Sequence, residues 1–165
     1  PGASGTAHRQ IQQGIADVLL VEAPIETNRL GRLVARRFGL KRVRQDRIDF
    51  ILQHLEPSAL RKGPHGCFAW SPEIQPDAWT CFRRATPTGE DRKVEEIAPE
   101  EVRNALVYIA EKGLGVRDEG ALADLAEIFG FKRLTTGIKA HLETVLAWSI
   151  ESGSLRRDGE RIYKR

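Results

Sequence analysis

Residues 38–43 read Phe-Gly-Leu-Lys-Arg-Val, and residues 129–134 read Phe-Gly-Phe-Lys-Arg-Leu. The second phrase begins 91 residues after the first, counted from Phe38 to Phe129. Apolar residues upstream recur at the same offset, which pairs Ile11, Ile15, Val18 and Val34 with Val102, Leu106, Ile109 and Leu125. Because the similarity extends beyond the phrase, the sequence indicates a tandem duplication of one supersecondary unit.

The composition is typical of a globular protein with one or two small domains. The chain has 165 residues, 41% hydrophobic and 30% charged, and no apolar run approaches the ~20 residues of a membrane span. It begins with Pro1 and contains no Met, so we expect a piece of a longer polypeptide. No secretory signal peptide is recognisable. Cys67 and Cys81 have neither zinc-site pairing nor disulfide-framework density, which predicts a reducing, cytoplasmic compartment. The lack of a long apolar run predicts that the protein has no membrane partner.

The net charge of +3 is unevenly distributed. Residues 1–71 contain 11 Lys and Arg against 6 Asp and Glu, residues 72–97 contain 4 against 6, and residues 98–165 contain 11 against 11. The local basic excess is a reason to consider a nucleic-acid partner for the first part of the chain.

Two helices are predicted at the start of the first unit. Apolar residues at helical spacing predict a helix over about 9–21, and Pro24 would end it because its ring lacks the N–H that a helix needs. Thr27 is the expected N-cap of a second helix over 28–38. Gly39 then follows as a left-handed residue, a conformation that costs glycine no Cβ clash.

A third helix and a hairpin should complete the first unit. Ile25 lies in a very short extended stretch before the second helix, and the third helix opens at Arg44 or Gln45. Two β-like runs, 59–61 and 67–70, are joined by a Gly- and Pro-containing turn. Helix, short strand, helix, helix, hairpin is the order of a winged-helix domain.

The second unit is predicted to repeat this order. Pro99 suits the first position of a helix, and the acidic Glu100 and Glu101 in its first turn are explained by the helix dipole and by solvation. Val116 takes the place of Ile25, and Asp118 caps the next helix.

The end of the second unit gives the clearest pattern. Gly130 repeats the role of Gly39, a third helix spans 136–151, and Asp158-Gly159 is a strong hairpin turn. We expect Phe38 and Phe129 to anchor the two cores.

The predicted fold class is therefore mainly α with small β-hairpins, a tandem winged-helix (helix-turn-helix) repeat. We expect residues 1–8 to be a disordered lead, 9–71 the first winged-helix unit, 72–97 a partly packed linker and 98–165 the second winged-helix unit. Trp79, Cys81 and Phe82 give the linker its apolar character.

A family resemblance runs from about Ile11 to the C-terminus. Its residues are those of 21–25 (Val-Glu-Ala-Pro-Ile), 33–42 (Leu-Val-Ala-Arg-Arg-Phe-Gly-Leu-Lys-Arg) and 97–102 (Ile-Ala-Pro-Glu-Glu-Val). They resemble an uncharacterised C-terminal domain family found at the tail of large bacterial superfamily-one helicase and very-short-patch-repair-like nuclease proteins. The chain departs from that family at 44–48, where it reads Arg-Gln-Asp-Arg-Ile. The resemblance implies that helicase and nuclease domains of the same polypeptide are partners.

The third helix and the wing carry the candidate nucleic-acid contacts. In a helix-turn-helix module the third helix usually enters the major groove, while wing residues reach phosphate. In the first unit the candidates are Lys41, Arg42, Arg44, Gln45, Arg47, Arg61 and Lys62. Arg and Gln have the geometry for bidentate contacts to guanine and adenine.

The second unit has fewer unopposed charges. Its candidates are Lys132, Arg133, Lys139, Arg156 and Arg157. Nearby Asp and Glu residues reduce the positive electrostatic potential around them. We therefore expect a non-catalytic DNA-binding accessory module that contacts duplex or junction DNA mainly through the first unit. The alternative is a protein–protein docking scaffold that packs on the parent enzyme's other domains or mediates oligomerisation, since fold alone does not decide function.

The sequence offers little for catalysis. The four histidines are scattered, none has metal-ligand spacing with a Cys or carboxylate, and no phosphate loop is present. We predict no catalytic residue, no metal, no cofactor and no small-molecule substrate. Trp70, Trp79 and Trp148 could stack on unpaired bases, although Trp148 falls on a predicted core helix.

Overall fold

A computed structural model describes residues 2–87 and 91–165, with side chains from residue 5 onward. The chain divides into two units, Pro1–Asp77 and Ala78–Arg165. Helices predominate in both, and each contains one small antiparallel sheet of three strands. The prediction of a mainly α fold with small β-hairpins is confirmed.

The first unit follows the order helix, strand, helix, helix, hairpin. Its elements are α1 (Gly2–Glu22), β1 (Ile25–Glu26), α2 (Thr27–Arg37), α3 (Gln45–Leu52), β2 (Leu60–Gly63) and β3 (Gly66–Ala69). The sheet order is β1-β3-β2, so the short strand that precedes α2 pairs with the far strand of the hairpin. Ile15, Leu30, Val34 and Ile51 lie in the core between these elements.

The second unit repeats that order. Its elements are α4 (Pro99–Lys112), β4 (Val116–Arg117), α5 (Asp118–Phe129), α6 (Thr136–Glu151), β5 (Leu155–Asp158) and β6 (Arg161–Lys164). The sheet order β4-β6-β5 is equivalent to that of the first unit. Val116 pairs with Ile162 as Ile25 pairs with Ala69, which confirms the predicted correspondence of the two short strands.

The N-caps of α2 and α5 differ from the prediction. The Glu26 carboxylate accepts hydrogen bonds from the backbone N–H groups of Asn28 and Arg29, both at 2.8 Å. The cap is therefore Glu26, because its longer side chain reaches two N–H groups from one position earlier than Thr27. Asp118 is the first helical residue of α5 and the cap is Arg117, which leaves the Asp118 carboxylate free to bind a side chain on β5.

The repeated phrase ends α2 and α5 in the same way. Gly39 has φ +80° and Gly130 has φ +78°. The residue after each glycine donates its N–H to a carbonyl five positions back, Leu40 to Ala35 at 3.2 Å and Phe131 to Ala126 at 2.8 Å. These are the bonds of a Schellman motif, which satisfies carbonyls at a helix end. The predicted left-handed glycines are confirmed.

Alanine substitutions at the two glycines should have unequal costs. A Cβ at Gly39 would meet no atom within 4 Å, whereas one at Gly130 would lie 2.6 Å from the Cβ of Ala85. We expect Gly39→Ala to lower the free energy of unfolding by about 1 kcal/mol, the cost of a left-handed alanine. Gly130→Ala should cost about 2 kcal/mol or more, because Ala85 must also move. Urea denaturation of both variants tests this; equal losses would contradict the close approach at Gly130.

Residues 2–8 do not form the predicted disordered lead, since α1 begins at Gly2. The segment contains alanines and no proline after Pro1, so nothing in its sequence terminates a helix that grows back from the packed region. Residues 5–8 remain exposed. The helix is longer than expected, and its described side chains at 5–10 lie outside the core.

The two phenylalanines of the repeated phrase differ in burial. Phe129 is 5% exposed in its core, whereas Phe38 is 47% exposed beside Gly14 of α1. The prediction that Phe38 anchors a core was wrong. The guanidinium of Arg92, which belongs to the segment before α4, lies 5.9 Å from the centroid of the Phe129 ring.

Most of the predicted linker is part of the second unit. Asn104 of α4 donates to the carbonyl oxygens of Trp79 and Cys81, both at 2.9 Å, and Val94 and Ile97 lie in the core. The compact division falls after Asp77. The Asn104 side-chain amide holds the backbone at Trp79 and Cys81. The described part of 78–97 therefore belongs to the second unit, and the expected partly packed linker of 72–97 is not a separate segment.

A buried carboxylate joins that segment to α4. Glu101 is 0% exposed and forms salt bridges of 2.9 Å with Arg83 and 2.8 Å with Arg92. Burial opposes ionisation of this carboxyl, but the hydrogen bonds and positive charges of the two arginines outweigh it and lower the pKa of Glu101. The prediction that Glu101 is a solvated first-turn acid was wrong, because both arginines come from outside the helix.

The lowered pKa of Glu101 makes the stability of the second unit pH-dependent. Its carboxylate contributes stability that is fully present above the ordinary value of 4.5 and is lost as pH falls through the lower folded pKa. The glutamine side chain of the Glu101→Gln variant has no titratable group. The difference in unfolding free energy between this variant and wild type should therefore shrink on acidification. Urea titrations between pH 7 and pH 3 test this. A difference independent of pH would contradict the assignment.

Candidate nucleic-acid interface

The orientation of α3 is set by its packing on α2. Ile48 and Ile51 are buried, and a Cβ on Gly31 of α2 would lie 2.7 Å from a side-chain methyl of Ile48. Only glycine permits this approach of the two helices. Because the apolar stripe faces α2, the side chains of Arg44 and Arg47 lie on the exposed face.

Three cations near the start of α3 have no carboxylate partner. Lys41, Arg42 and Arg47 are exposed, and within the described residues no ion pair or hydrogen bond engages their side chains. Lys41 and Arg42 lie in the turn after Gly39, while Arg47 lies in the first turn of α3. The helix end that the repeated phrase produces therefore leads directly into a group of uncompensated positive charges.

Two of the residues predicted to read bases, Arg44 and Gln45, contact other side chains of the protein. The side-chain amide nitrogen of Gln45 donates to Asn28 Oδ1 at 3.0 Å and to Asp49 Oδ1 at 2.9 Å. Both of its hydrogens are used, so a bidentate contact with adenine, which needs one donor and one acceptor, is unavailable in this arrangement. Arg44 lies 3.4 Å from Asp46, an exposed pair that water and salt weaken.

The hairpin of the first unit contributes one unopposed cation. Arg61 contacts Asp77 at 2.6 Å, whereas Lys62 is exposed and has no ion-pair partner in the described part of the chain. The sequence grouped Arg61 with Lys62, and only the second is available to an anion without breaking a salt bridge.

In the second unit, carboxylates neutralise most of the predicted contacts. Lys139 lies 3.8 Å from Glu143, and Arg156 lies 3.8 Å from Asp158. Arg157 forms two hydrogen bonds with Asp118, at 2.8 and 2.9 Å. These bonds raise the pKa of Arg157.

Two predicted cations of the second unit remain available. Lys132 and Arg133 are exposed, and neither has an ion pair among the described residues. Residues 78–165 contain 15 Lys and Arg against 15 Asp and Glu, whereas residues 1–77 contain 11 against 8. The net positive charge of the chain thus belongs to the first unit.

Potential metal ligands do not cluster in the described part of the chain. In the ranges 5–87 and 91–165, no three His, Cys, Asp or Glu side chains lie close enough together to hold a metal ion. Folding does bring His8 and His54 together, with ring centroids 4.3 Å apart, and His54 Nδ1 lies 2.9 Å from the Phe50 carbonyl oxygen. Trp70 is buried, and Trp148 is partly buried against the core with the Arg103 guanidinium 5.8 Å from its ring centroid.

None of the helices described is both long and apolar enough to cross a membrane. No family model, curated protein or solved structure matches this chain.

Proposed function

We propose that the chain is a tandem winged-helix protein that acts as a non-catalytic, DNA-binding accessory module of a larger cytoplasmic helicase–nuclease polypeptide. The order helix, strand, helix, helix, hairpin in each unit supports the winged-helix assignment, as does the sheet order in which the first strand pairs with the last. The family resemblance of the 33–42 and 97–102 segments supports the link to helicase and nuclease domains.

The observation that carries the DNA-binding proposal is the group of Lys41, Arg42 and Arg47. These side chains are exposed and uncompensated at the start of the helix that usually enters the major groove in such modules. Lys62 adds a fourth charge on the hairpin, where wing residues commonly meet phosphate. Binding releases condensed counterions from the DNA, which favours association without any base contact.

The same geometry favours backbone contact over sequence readout. Gln45 is bound to Asn28 and Asp49, so its role is to tie the start of α3 to α2. The available lysines and arginines can instead neutralise phosphates, which carry no sequence information. The module would therefore hold duplex or junction DNA for the neighbouring enzymatic domains with little preference for sequence.

A docking scaffold is the second candidate function. The observation that favours it is exposed apolar surface in the first unit. Leu20 and Val21 are 70% and 75% exposed, and Phe38 and Phe50 are 47% and 50% exposed. Contiguous exposed apolar surface commonly marks a protein-binding site. In this case the parent polypeptide or an oligomeric partner would cover the surface.

One titration separates the two functions. Fluorescence anisotropy of labelled duplex, forked and single-stranded DNA should detect binding at low salt, with duplexes of unrelated sequence bound within a few-fold of each other. Failure of all three DNAs to bind at low salt would favour the scaffold. A strong preference for one duplex sequence would contradict the backbone-contact mechanism while leaving DNA binding in place.

A further inference from the structure

The first unit contains an open groove beside α1. Its volume is about 900 Å³, and it lies between α1 and residues 70–76, which follow β3. The buried side chains of Ile15, Leu19, Leu55 and Trp70 form an apolar floor. A groove of this size lies within the range of roughly 300–1,000 Å³ that is usual for ligand pockets.

The groove is about as long as a short helix. On α1 the lining residues Gln12, Ala16 and Leu20 are four residues apart and therefore lie along one face over about 12 Å. Leu20 is 70% exposed at the edge. The opposite wall contains Pro72 and Ile74. A segment of two to three helical turns would cover this apolar surface.

The groove also carries uncompensated negative charge. Glu56 and Glu73 line it and are exposed, and within the described residues neither forms an ion pair. The other charges are matched inside the unit, Asp17 by Arg37 at 3.0 Å and Arg61 by Asp77 at 2.6 Å. The groove is thus locally acidic within a unit whose overall charge is positive, so it does not suit DNA.

We propose that this groove binds an amphipathic helix of a partner protein, with leucine-sized side chains on one face and lysines or arginines beside them. The apolar face would cover the floor with anchors at helical spacing, as in other helix-in-groove complexes. The basic side chains would pair with Glu56 and Glu73, and this complementarity specifies the partner's charge. The inference does not depend on DNA binding.

A second copy of the chain is a poorer occupant than a helical partner. Outside α1, the exposed large apolar residues within the described helices are Phe50 of α3 and Tyr108 of α4, and each stands alone on its helix. The exposed apolar and basic residues Phe38, Leu40, Lys41 and Arg42 lie together after α2. Gly39 interrupts them with φ +80°, so they form a tight turn after α2. A turn presents no apolar face two helical turns long.

The test uses the full chain and a labelled, terminally blocked peptide of about four helical turns. The probe has leucines at i, i+3, i+4 and i+7 with lysines at the polar positions. One control peptide replaces the lysines with glutamates and another replaces the leucines with serines. We expect the lysine–leucine peptide to bind and each control to bind at least about tenfold more weakly, because each lacks one half of the complementarity.

Variants inside and outside the groove show where the peptide binds. Ala16→Arg places a bulky cation in the groove and should weaken peptide binding at least about tenfold, whereas Ala7→Arg, on the same helix away from the groove, should change it less than about twofold. Joint Glu56→Lys and Glu73→Lys substitution should reverse the preference toward the glutamate peptide. Far-UV circular dichroism confirms that each variant is folded, and neither Ala16→Arg nor Ala7→Arg should lower duplex DNA affinity.

Three results would overturn the proposal. Absence of peptide binding, or binding that Ala16→Arg leaves unchanged, would exclude the groove as a site for a basic helix. Sedimentation velocity in which the wild type associates and Ala16→Arg is monomeric would assign the groove to a second copy of the chain. Loss of DNA binding with peptide binding retained would instead refute only the proposed DNA function.

Discussion

The Glu101→Ala variant is expected to lower the free energy of unfolding of the second unit by about 3 kcal/mol, because breaking a buried ion pair leaves an uncompensated charge. Glu101 is 0% exposed and receives two arginines. Arg92 is only 12% exposed and would keep an unmatched buried charge, whereas Arg83, at 31%, can regain water. The expected loss therefore lies near the lower end of the roughly 3–5 kcal/mol measured for such changes.

Urea denaturation followed by circular dichroism measures this loss. Glu127→Ala is the matched control, since Glu127 is an exposed helical glutamate of the same unit with no ion pair among the described residues. Its substitution should change stability by less than about 0.5 kcal/mol. If the two variants unfold at the same urea concentration, Glu101 does not hold the 78–97 segment on α4.

Replacing Lys41, Arg42 and Arg47 together with Gln is expected to lower duplex DNA affinity by on the order of 100-fold at 0.1 M salt. Each phosphate contact raises the affinity through counterion release, so the affinity losses from three contacts multiply. Anisotropy titration measures the change. None of the three side chains contacts a described residue through a hydrogen bond or ion pair, so the substitutions should leave the fold intact.

The matched control replaces Lys139, Arg156 and Arg157 with Gln. It removes the same formal charge, but each of these groups is paired with a carboxylate. We expect only a few-fold loss of affinity from it, provided that circular dichroism shows a folded protein. A larger loss from this control than from the first-unit variant would assign DNA binding to the second unit.

Helices and strands with strong local patterns could be predicted from the sequence. Helix α6 has the predicted bounds of 136–151, because a long apolar stripe is preceded by Thr135 and followed by Gly153. The two left-handed glycines and the Asp158-Gly159 turn were also predictable, since each depends on the backbone freedom of one or two residues.

Burial within the repeated phrase could not be predicted in the same way. Phe38 and Phe129 occupy equivalent helix ends, yet only Phe129 is buried. On the Phe129 side, Arg92 of the segment before α4 lies over the ring and Arg83 of the same segment binds Glu101 of α4, so these contacts join residues far apart in the sequence. The prolines and glycine of that segment are local features, and they predicted a linker. Its contacts are with residues distant in the sequence, so the composition could not predict them.

The candidate interface was predictable in its residue types but not in its available charges. The sequence named both Arg157 and Arg47, but folding places Asp118 against Arg157, 39 residues away along the chain, and no carboxylate of the described residues against Arg47. Gln45 likewise binds Asn28, 17 residues earlier. The groove beside α1 was missed, although Leu20 and Val21, outside the predicted core stripe, were available as a sign of exposed apolar surface.

The salt dependence of duplex binding tests the central proposal most directly. With Lys41, Arg42, Arg47 and Lys62 each neutralising one phosphate, a plot of log affinity against log salt should have a slope of roughly −3.6 for the wild type and roughly −0.9 for the variant with Gln at 41, 42 and 47. Equal slopes for the two proteins, or no duplex binding by the wild type at low salt, would contradict DNA binding through the start of α3.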